Sequence, residues 1–275
     1  MKNIRNKLAY ITGGSSGIGL EVARLMASGG AGVVLMARNG SKLQRARRDI
    51  LGSVKEPGAM VETVPVDVAD EKRVKKALAD AVKEYGPPDI LVNSAGMGHS
   101  DYFEKIDHKT FDTIMRINLY GTRNVIAAAL PWMRERGGHI VILSSEAGLM
   151  GVFGYTAYGT SKYALVGLAE CLRLEVKRYG IGVTVVCPPE VDTPLVAQEA
   201  RTIPPEARAV KNVGGQLKPD YVARTVMRAI RRNRFLVVPG FLARMLYHTH
   251  RLSNGVLTRV TTDFIVAMAA RKVKR

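Results

Sequence analysis

The stretch Tyr10-Ile11-Thr12-Gly13-Gly14-Ser15-Ser16-Gly17-Ile18-Gly19 carries an apolar, strand-like run into a glycine turn and out into an apolar helical pattern. In that setting each glycine has a physical task. Gly13 permits a sharp turn, Gly17 lets backbone approach a pyrophosphate, and Gly19 lets the helix pack closely on the strand. The helix start then offers free N–H groups to phosphate, with Ser15, Ser16 and Ile18 in the same loop. This context predicts a dinucleotide site on the first βα unit.

The surrounding chain repeats the same rhythm. Short apolar runs at 8–12, 33–37, 61–66, 90–93, 140–144, 183–187 and 235–238 alternate with stretches of helical period, among them 19–28, 71–85, 111–136 and 162–179. That alternation predicts an α/β fold, a Rossmann-type doubly wound parallel sheet of about seven strands with helices on both faces. Runs that are apolar throughout, such as Val33-Val34-Leu35-Met36-Ala37, suit a sheet covered on both sides. The expected organisation is one domain over 1–275. A long insertion at 190–217 reads as a substrate lid, and 236–275 as a basic, apolar C-terminal extension.

Ligands of such a sheet bind at the carboxyl ends of its strands, and the residues there carry the chemistry. After the second strand stands Ala37-Arg38-Asn39 in place of an acidic residue. No carboxylate repels a 2′-phosphate, and a guanidinium is available to grip it, so NADP(H) is the expected cofactor. Asp67-Val68 closes the third strand, where a carboxylate can accept from an adenine amino group. Asn93-Ser94-Ala95-Gly96 closes the fourth, where small residues let adenosine lie against backbone.

Ser144-Ser145-Glu146 closes the fifth strand, and Tyr158-Gly159-Thr160-Ser161-Lys162 follows at a helix start. Residues four apart share a helix face, so Tyr158 and Lys162 can reach one site. A free tyrosine titrates near 10, and an adjacent ammonium favours its phenolate, which makes it a usable acid/base. Ser145 is placed to hydrogen-bond and polarise a substrate oxygen.

Taken together, Thr12-Gly13-x-x-x-Gly17-x-Gly19, Asn93-x-Ala95-Gly96, Asn118, Ser145, Tyr158 and Lys162 resemble the short-chain dehydrogenases/reductases over roughly residues 5–240. The resemblance implies that Asn118 anchors a proton-relay water to Lys162, and that Lys162 also holds the nicotinamide ribose. It adds Pro188, Val191 and Thr193 to the cofactor set, Thr193 facing the carboxamide. Ser94 departs from the family's usual asparagine, and Pro188-Pro189 from its Pro-Gly. Within the family, Pro188-Pro189-Glu190-Val191-Asp192-Thr193-Pro194, Asn93-Ser94-Ala95-Gly96-Met97, 151–158, 167–170 and 199–202 are similar to the 3-ketodihydrosphingosine reductases. These reduce the C3 ketone of a long-chain amino ketone with NADPH in sphingolipid synthesis. Another lipophilic ketone or alcohol (steroid, retinoid, acyl ketone) stays open as the substrate. A non-catalytic NADP(H)-binding sensor or scaffold is the rival of another class. A homo-oligomer, dimer or tetramer, is implied by family habit, through helices around 111–136 and 162–179.

Composition narrows the remaining classes. With 41 Lys and Arg against 24 Asp and Glu, the net charge is +17. The basic residues at 42–48 and 72–76 stand beside acidic ones, without interleaved aromatics, so no nucleic-acid partner is expected. The tail concentrates Arg244, Arg251, Arg259, Arg271, Lys272, Lys274 and Arg275 against Asp263. Its segments 241–252 and 256–270 read either as peripheral contacts with an anionic membrane or as helices packed on the body or on a partner. With the first strand starting at Leu8, no signal peptide is expected, and no apolar run reaches transmembrane length. Eukaryotic members of the similar group carry membrane-spanning segments, and their address is not transferred. The expected location is cytoplasmic, with the membrane's cytoplasmic face as the place of any contact. Cys171 and Cys187 have no metal or disulfide spacing, and both read as small core residues; no metal is expected.

Overall fold

Strand residues here alternate between two apolar layers, and this sets the architecture. β1 (Leu8–Thr12), β2 (Gly32–Ala37), β3 (Val61–Pro65), β4 (Ile90–Asn93), β5 (Gly138–Leu143) and β6 (Ile181–Val186) are joined by β9 (Leu236–Val237). Among the described residues these seven strands form one parallel sheet in the order β3-β2-β1-β4-β5-β6-β9. The computed structural model describes residues 1, 3–54, 58–200 and 202–273. Arg201, Lys274 and Arg275 lie outside the described residues, as does the side chain of Lys272.

Ile11, Leu35, Val92 and Val141 point to one face. There they pack with α1 (Gly17–Ser28), α2 (Gly40–Ser53) and α9 (Pro219–Arg232) through Val22, Met26, Leu43, Ile50, Val226 and Ile230. Their neighbours Tyr10, Met36, Leu91 and Ile140 point the other way. They meet α3 (Glu71–Tyr85), α5 (Gly121–Arg134) and α6 (Thr156–Val176) through Leu78, Val125, Met133, Leu165 and Leu172. Two buried layers on one sheet give the doubly wound fold, with every strand's carboxyl end on the same edge.

Three features depart from the sequence expectation. The span 111–136, read as one helix, is α4 (His108–Met115), a π turn over Arg116–Tyr120, and then α5. The longer Gly121 N–H to Arg116 carbonyl bond admits one extra residue, and Asn118 turns inward at the swelling. The helix expected from 162 starts at Thr156 instead. Gly159, Thr160 and Ser161 are weak helix formers, but buried Ser161 donates to the Tyr158 carbonyl at 2.7 Å and Thr160 to the Thr156 carbonyl at 2.7 Å. Cys187 is buried, whereas Cys171 is exposed on the outer face of α6 beside an exposed Leu174, so it is no core residue. A nearly all-apolar helix hides which face turns outward.

Beyond β6 the chain leaves the sheet. β7 (Glu190–Val191) and β8 (Gln216–Leu217) pair in parallel and bring together the ends of segment 190–217, which holds α7 (Pro194–Glu199) and α8 (Pro205–Gly214). No sequence signal marks these two-residue strands. After β9 come α10 (Phe241–Leu252) and α11 (Val256–Val273), and both pack against α8. No helix among the described residues is long and apolar enough to cross a membrane.

Candidate active site

The β1–α1 turn is built as tightly as its glycines demand. Gly13 has φ +67°, and a Cβ there would stand 2.7 Å from the Ser94 carbonyl oxygen; one on Gly19 would stand 2.6 Å from the Gly13 oxygen. Gly17, at φ +56°, opens α1 and faces the Thr193 methyl across the groove. Thr12 ties this turn to the end of β4, its hydroxyl accepting from the Ser94 and Ala95 amides at 3.2 Å each. Ser16 occupies the N-cap of α1 without a side-chain cap bond, so the first N–H groups of the helix keep their donors for a ligand.

The other expected cofactor residues follow along the same edge. Arg38, after β2, is exposed and makes no ion pair or hydrogen bond among the described residues, while Asn39 beside it caps α2 through the Lys42 amide at 2.9 Å. Asp67 accepts from the Ala69 amide at 3.0 Å, and the Val68 carbonyl accepts from Asn124 at 3.1 Å. Asn93 donates to the Val141 carbonyl at 3.2 Å, leaving its buried Oδ1 without a partner among the described residues. An uncapped helix start and a free guanidinium fit an anionic dinucleotide with an additional phosphate. Among the described residues no cluster of His, Cys, Asp and Glu has the arrangement of a metal site.

Ser145, Tyr158 and Lys162 converge on one cavity of about 260 Å³, together with Ile18, Gly96, Pro188, Val191 and Thr193. Ser145 Oγ accepts from the Ala147 amide at 3.2 Å, and its hydroxyl stands near Tyr158. Lys162 is buried, donates to the Leu143 carbonyl at 2.8 Å, and lies 5.5 Å from the centre of the Tyr158 ring. Burial pushes its ammonium down to about 8. Burial also drives the Tyr158 phenol well above its ordinary range; the Glu199 charge adds to this, and the Ser145 hydroxyl opposes it. Ser145 thus acts to lower the phenol, and Lys162 spends one donor on the backbone of β5.

Asn118 stands behind the cavity wall. Its Oδ1 accepts from the Met97 amide at 2.8 Å, and its Nδ2 donates to the Met97 carbonyl at 3.0 Å and to Ser161 Oγ at 2.9 Å. Both side-chain donors are used, while Oδ1 keeps one lone pair; the main-chain oxygen accepts from Thr122 Oγ1 at 2.7 Å.

Sequence reading assigned no role to three carboxylates that also line the cavity. Glu199 accepts from Tyr155 Oη at 3.0 Å and from Lys211 Nζ at 3.2 Å, and Lys211 reaches Glu190 at 2.6 Å. Burial works against the Lys211 ammonium, but Glu199 and Glu190 more than offset it and keep it charged. Glu146, next to Ser145, has no such partner. Its only available signal was an acidic residue after an apolar strand end. The far wall is made by Leu246, Leu257, Thr258 and Ile265 of α10 and α11.

Comparison with known proteins adds the following. The sequence profile of the family described as short chain dehydrogenase matches residues 7–203. The chain is 42% identical over 220 residues to the 3-ketodihydrosphingosine reductase of Bos taurus, covering 79% of this chain and 66% of that protein. With the 3-dehydrosphinganine reductase of Danio rerio the identity is 40% over 220 residues, at the same 79% and 66%. The chain thus spans just under two thirds of the length of these curated relatives. The crystal structure of levodione reductase superposes with a TM-score of 0.77 at 27% identity, covering 85% of this chain and 96% of that one.

Proposed function

The chain belongs to the short-chain dehydrogenase family, and from that premise we propose that it reduces the C3 ketone of 3-ketodihydrosphingosine to the alcohol with NADPH. The observation that carries this reading is the convergence of Ser145, Tyr158 and Lys162 on a cavity whose other walls are largely apolar. When bound, NADPH supplies the hydride. Ser145 holds the ketone oxygen, and Tyr158, kept protonated by burial, donates its proton to that oxygen as negative charge develops there. The remaining donors of Lys162 stabilise the phenolate and hold the nicotinamide ribose, and Asn118 anchors the water that returns a proton. Arg38 grips the 2′-phosphate, with the Gly13–Gly19 turn under the pyrophosphate.

Segment 190–217 acts as the lid, with Glu199 and Lys211 on its inner side. The substrate's long chain lies against the wall formed by α10 and α11. The outer faces of these helices leave Phe241, Met245, Leu252, Val260 and Phe264 exposed among arginines, which supports docking on an anionic membrane at its cytoplasmic face. Exposed Trp132 and Tyr163 on α5 and α6 support pairing of two copies.

The test is turnover. Purified protein is expected to oxidise NADPH with 3-ketodihydrosphingosine, and NADH far more slowly. Tyr158→Phe is expected to lose about 100- to 10,000-fold in kcat while still binding NADPH. Undiminished turnover in that variant would sink the mechanism. Preference for a steroid or retinoid ketone in the same panel would move the substrate. Tight NADPH binding with no turnover of any ketone would favour a sensor.

A further inference from the structure

Glu146 is the side chain in the cavity whose chemistry the reduction itself does not use. Its backbone is locked: its amide donates to the Pro188 carbonyl at 2.8 Å, and its carbonyl accepts from the Leu149 and Met150 amides at 2.9 and 3.2 Å. The carboxylate is half-buried, lines the cavity, and has no hydrogen bond or ion pair among the described residues. The two other acidic side chains of the cavity share the Lys211 ammonium, and Glu199 also accepts from Tyr155. Among the described residues, Glu146 is the one acidic side chain of the cavity without a partner. Burial alone raises its carboxyl to about 7, with no neighbouring charge involved.

An unpaired carboxylate in an apolar cavity is costly, and a cation in hydrogen-bond reach removes most of that cost. In the amino ketone proposed above, the carbon bearing the ammonium is bonded directly to the carbonyl carbon. With the ketone oxygen on Ser145 and Tyr158, the ammonium therefore lies close to the oxygen-binding groups. The residue that follows Ser145 is Glu146.

We propose that Glu146 receives the ammonium group of a 2-amino ketone substrate and sets the enzyme's preference for amino ketones over neutral ketones. This rests on the reading that Ser145, Tyr158 and Lys162 reduce such a ketone. Glu146 is a specificity residue and takes no part in proton or hydride movement. A ketone of the same chain length without the amine leaves the carboxylate desolvated and unpaired, and is disfavoured for that reason.

The experiment compares kcat/KM for 3-ketodihydrosphingosine, its N-acetyl derivative and 1-hydroxyoctadecan-3-one, using the full chain and NADPH. The parent protein is expected to prefer the free amine by on the order of 100-fold, mainly through KM. In Glu146→Gln that ratio is expected to collapse towards one, and in Glu146→Asp to survive in part. Because each protein is its own control, a variant that folds less well lowers both numbers and leaves the ratio readable. Calorimetric binding of dihydrosphingosine with NADP+ present is expected to weaken at least tenfold in Glu146→Gln. An amine preference undiminished in Glu146→Gln but lost in Glu199→Gln would overturn the proposal and move the ammonium to the lid. Reduction of all three ketones without preference by the parent would overturn it while leaving ketone reduction intact. Failure of the parent to reduce any of them would remove the substrate reading itself, and this inference with it.

Discussion

Burial acts on Tyr158, Lys162 and Glu146 in one direction, towards the neutral form, and the three differ in what opposes it. The Ser145 hydroxyl opposes it at Tyr158, and Cys187 and Glu199 oppose it at Lys162, whereas Glu146 has nothing among the described residues. This has a consequence for stability in the absence of ligand. The folded protein holds the Glu146 proton up to about pH 7, while the unfolded chain releases it near 4.5. Between those values the native state binds the extra proton, so this group's contribution falls as pH rises, and the full penalty is present above 7. Glu146→Gln is therefore expected to be more stable than the parent by roughly 1–3 kcal/mol at pH 8, with the gain shrinking towards pH 5. Urea unfolding at both pH values reads the difference, and a gain independent of pH would contradict it. Spacing made Ser145, Tyr158 and Lys162 legible in the sequence, because a shared helix face and a strand end are local properties. The status of Glu146 was not legible, since whether a carboxylate is desolvated depends on what folds over it.

The π turn between α4 and α5 shows where local patterning stops informing. Apolar residues run through 111–136 without a break in period, so the sequence reads as one helix. The interruption follows from Asn118, whose side chain pins both main-chain groups of Met97 and the hydroxyl of Ser161 on α6. One residue thereby ties together the loop after β4, the kink and the helix that carries Tyr158 and Lys162. Asn118→Ala leaves these groups without their partner in a buried setting and is expected to cost about 2–4 kcal/mol, measured by chemical denaturation. Loss of less than about 1 kcal/mol would mean that the surroundings relax to satisfy them. The same limit explains Cys171 and the early start of α6, where tertiary packing overrode composition.

For the molecule as a whole, the parallel sheet of about seven strands, the helices on both faces and the common carboxyl edge were legible, because alternation of strand and helix leaves few topologies. The arrangement of 190–217 and of α10 and α11 was not, since nothing local says that α11 lies along α8. The net charge of +17 and the exposed apolar side chains of the last two helices give an expectation for the intact chain. It should cosediment with vesicles containing anionic lipid and bind purely zwitterionic ones weakly. Replacing Phe241 and Phe264 together by serine should lower the partition coefficient at least tenfold, given about 1.5–3 kcal/mol for each fully buried large apolar side chain. Equal binding by that variant would assign the surface to another partner.

The helices that bear this exposed apolar face also form the far wall of the catalytic cavity, through Leu246, Leu257 and Ile265. If a bilayer lies against that face, a long-chain ketone moves from lipid to cavity without dissolving in water. Its rate would then obey surface-dilution kinetics. Velocity would track the mole fraction of ketone in the membrane and fall as inert phospholipid is added at constant ketone molarity.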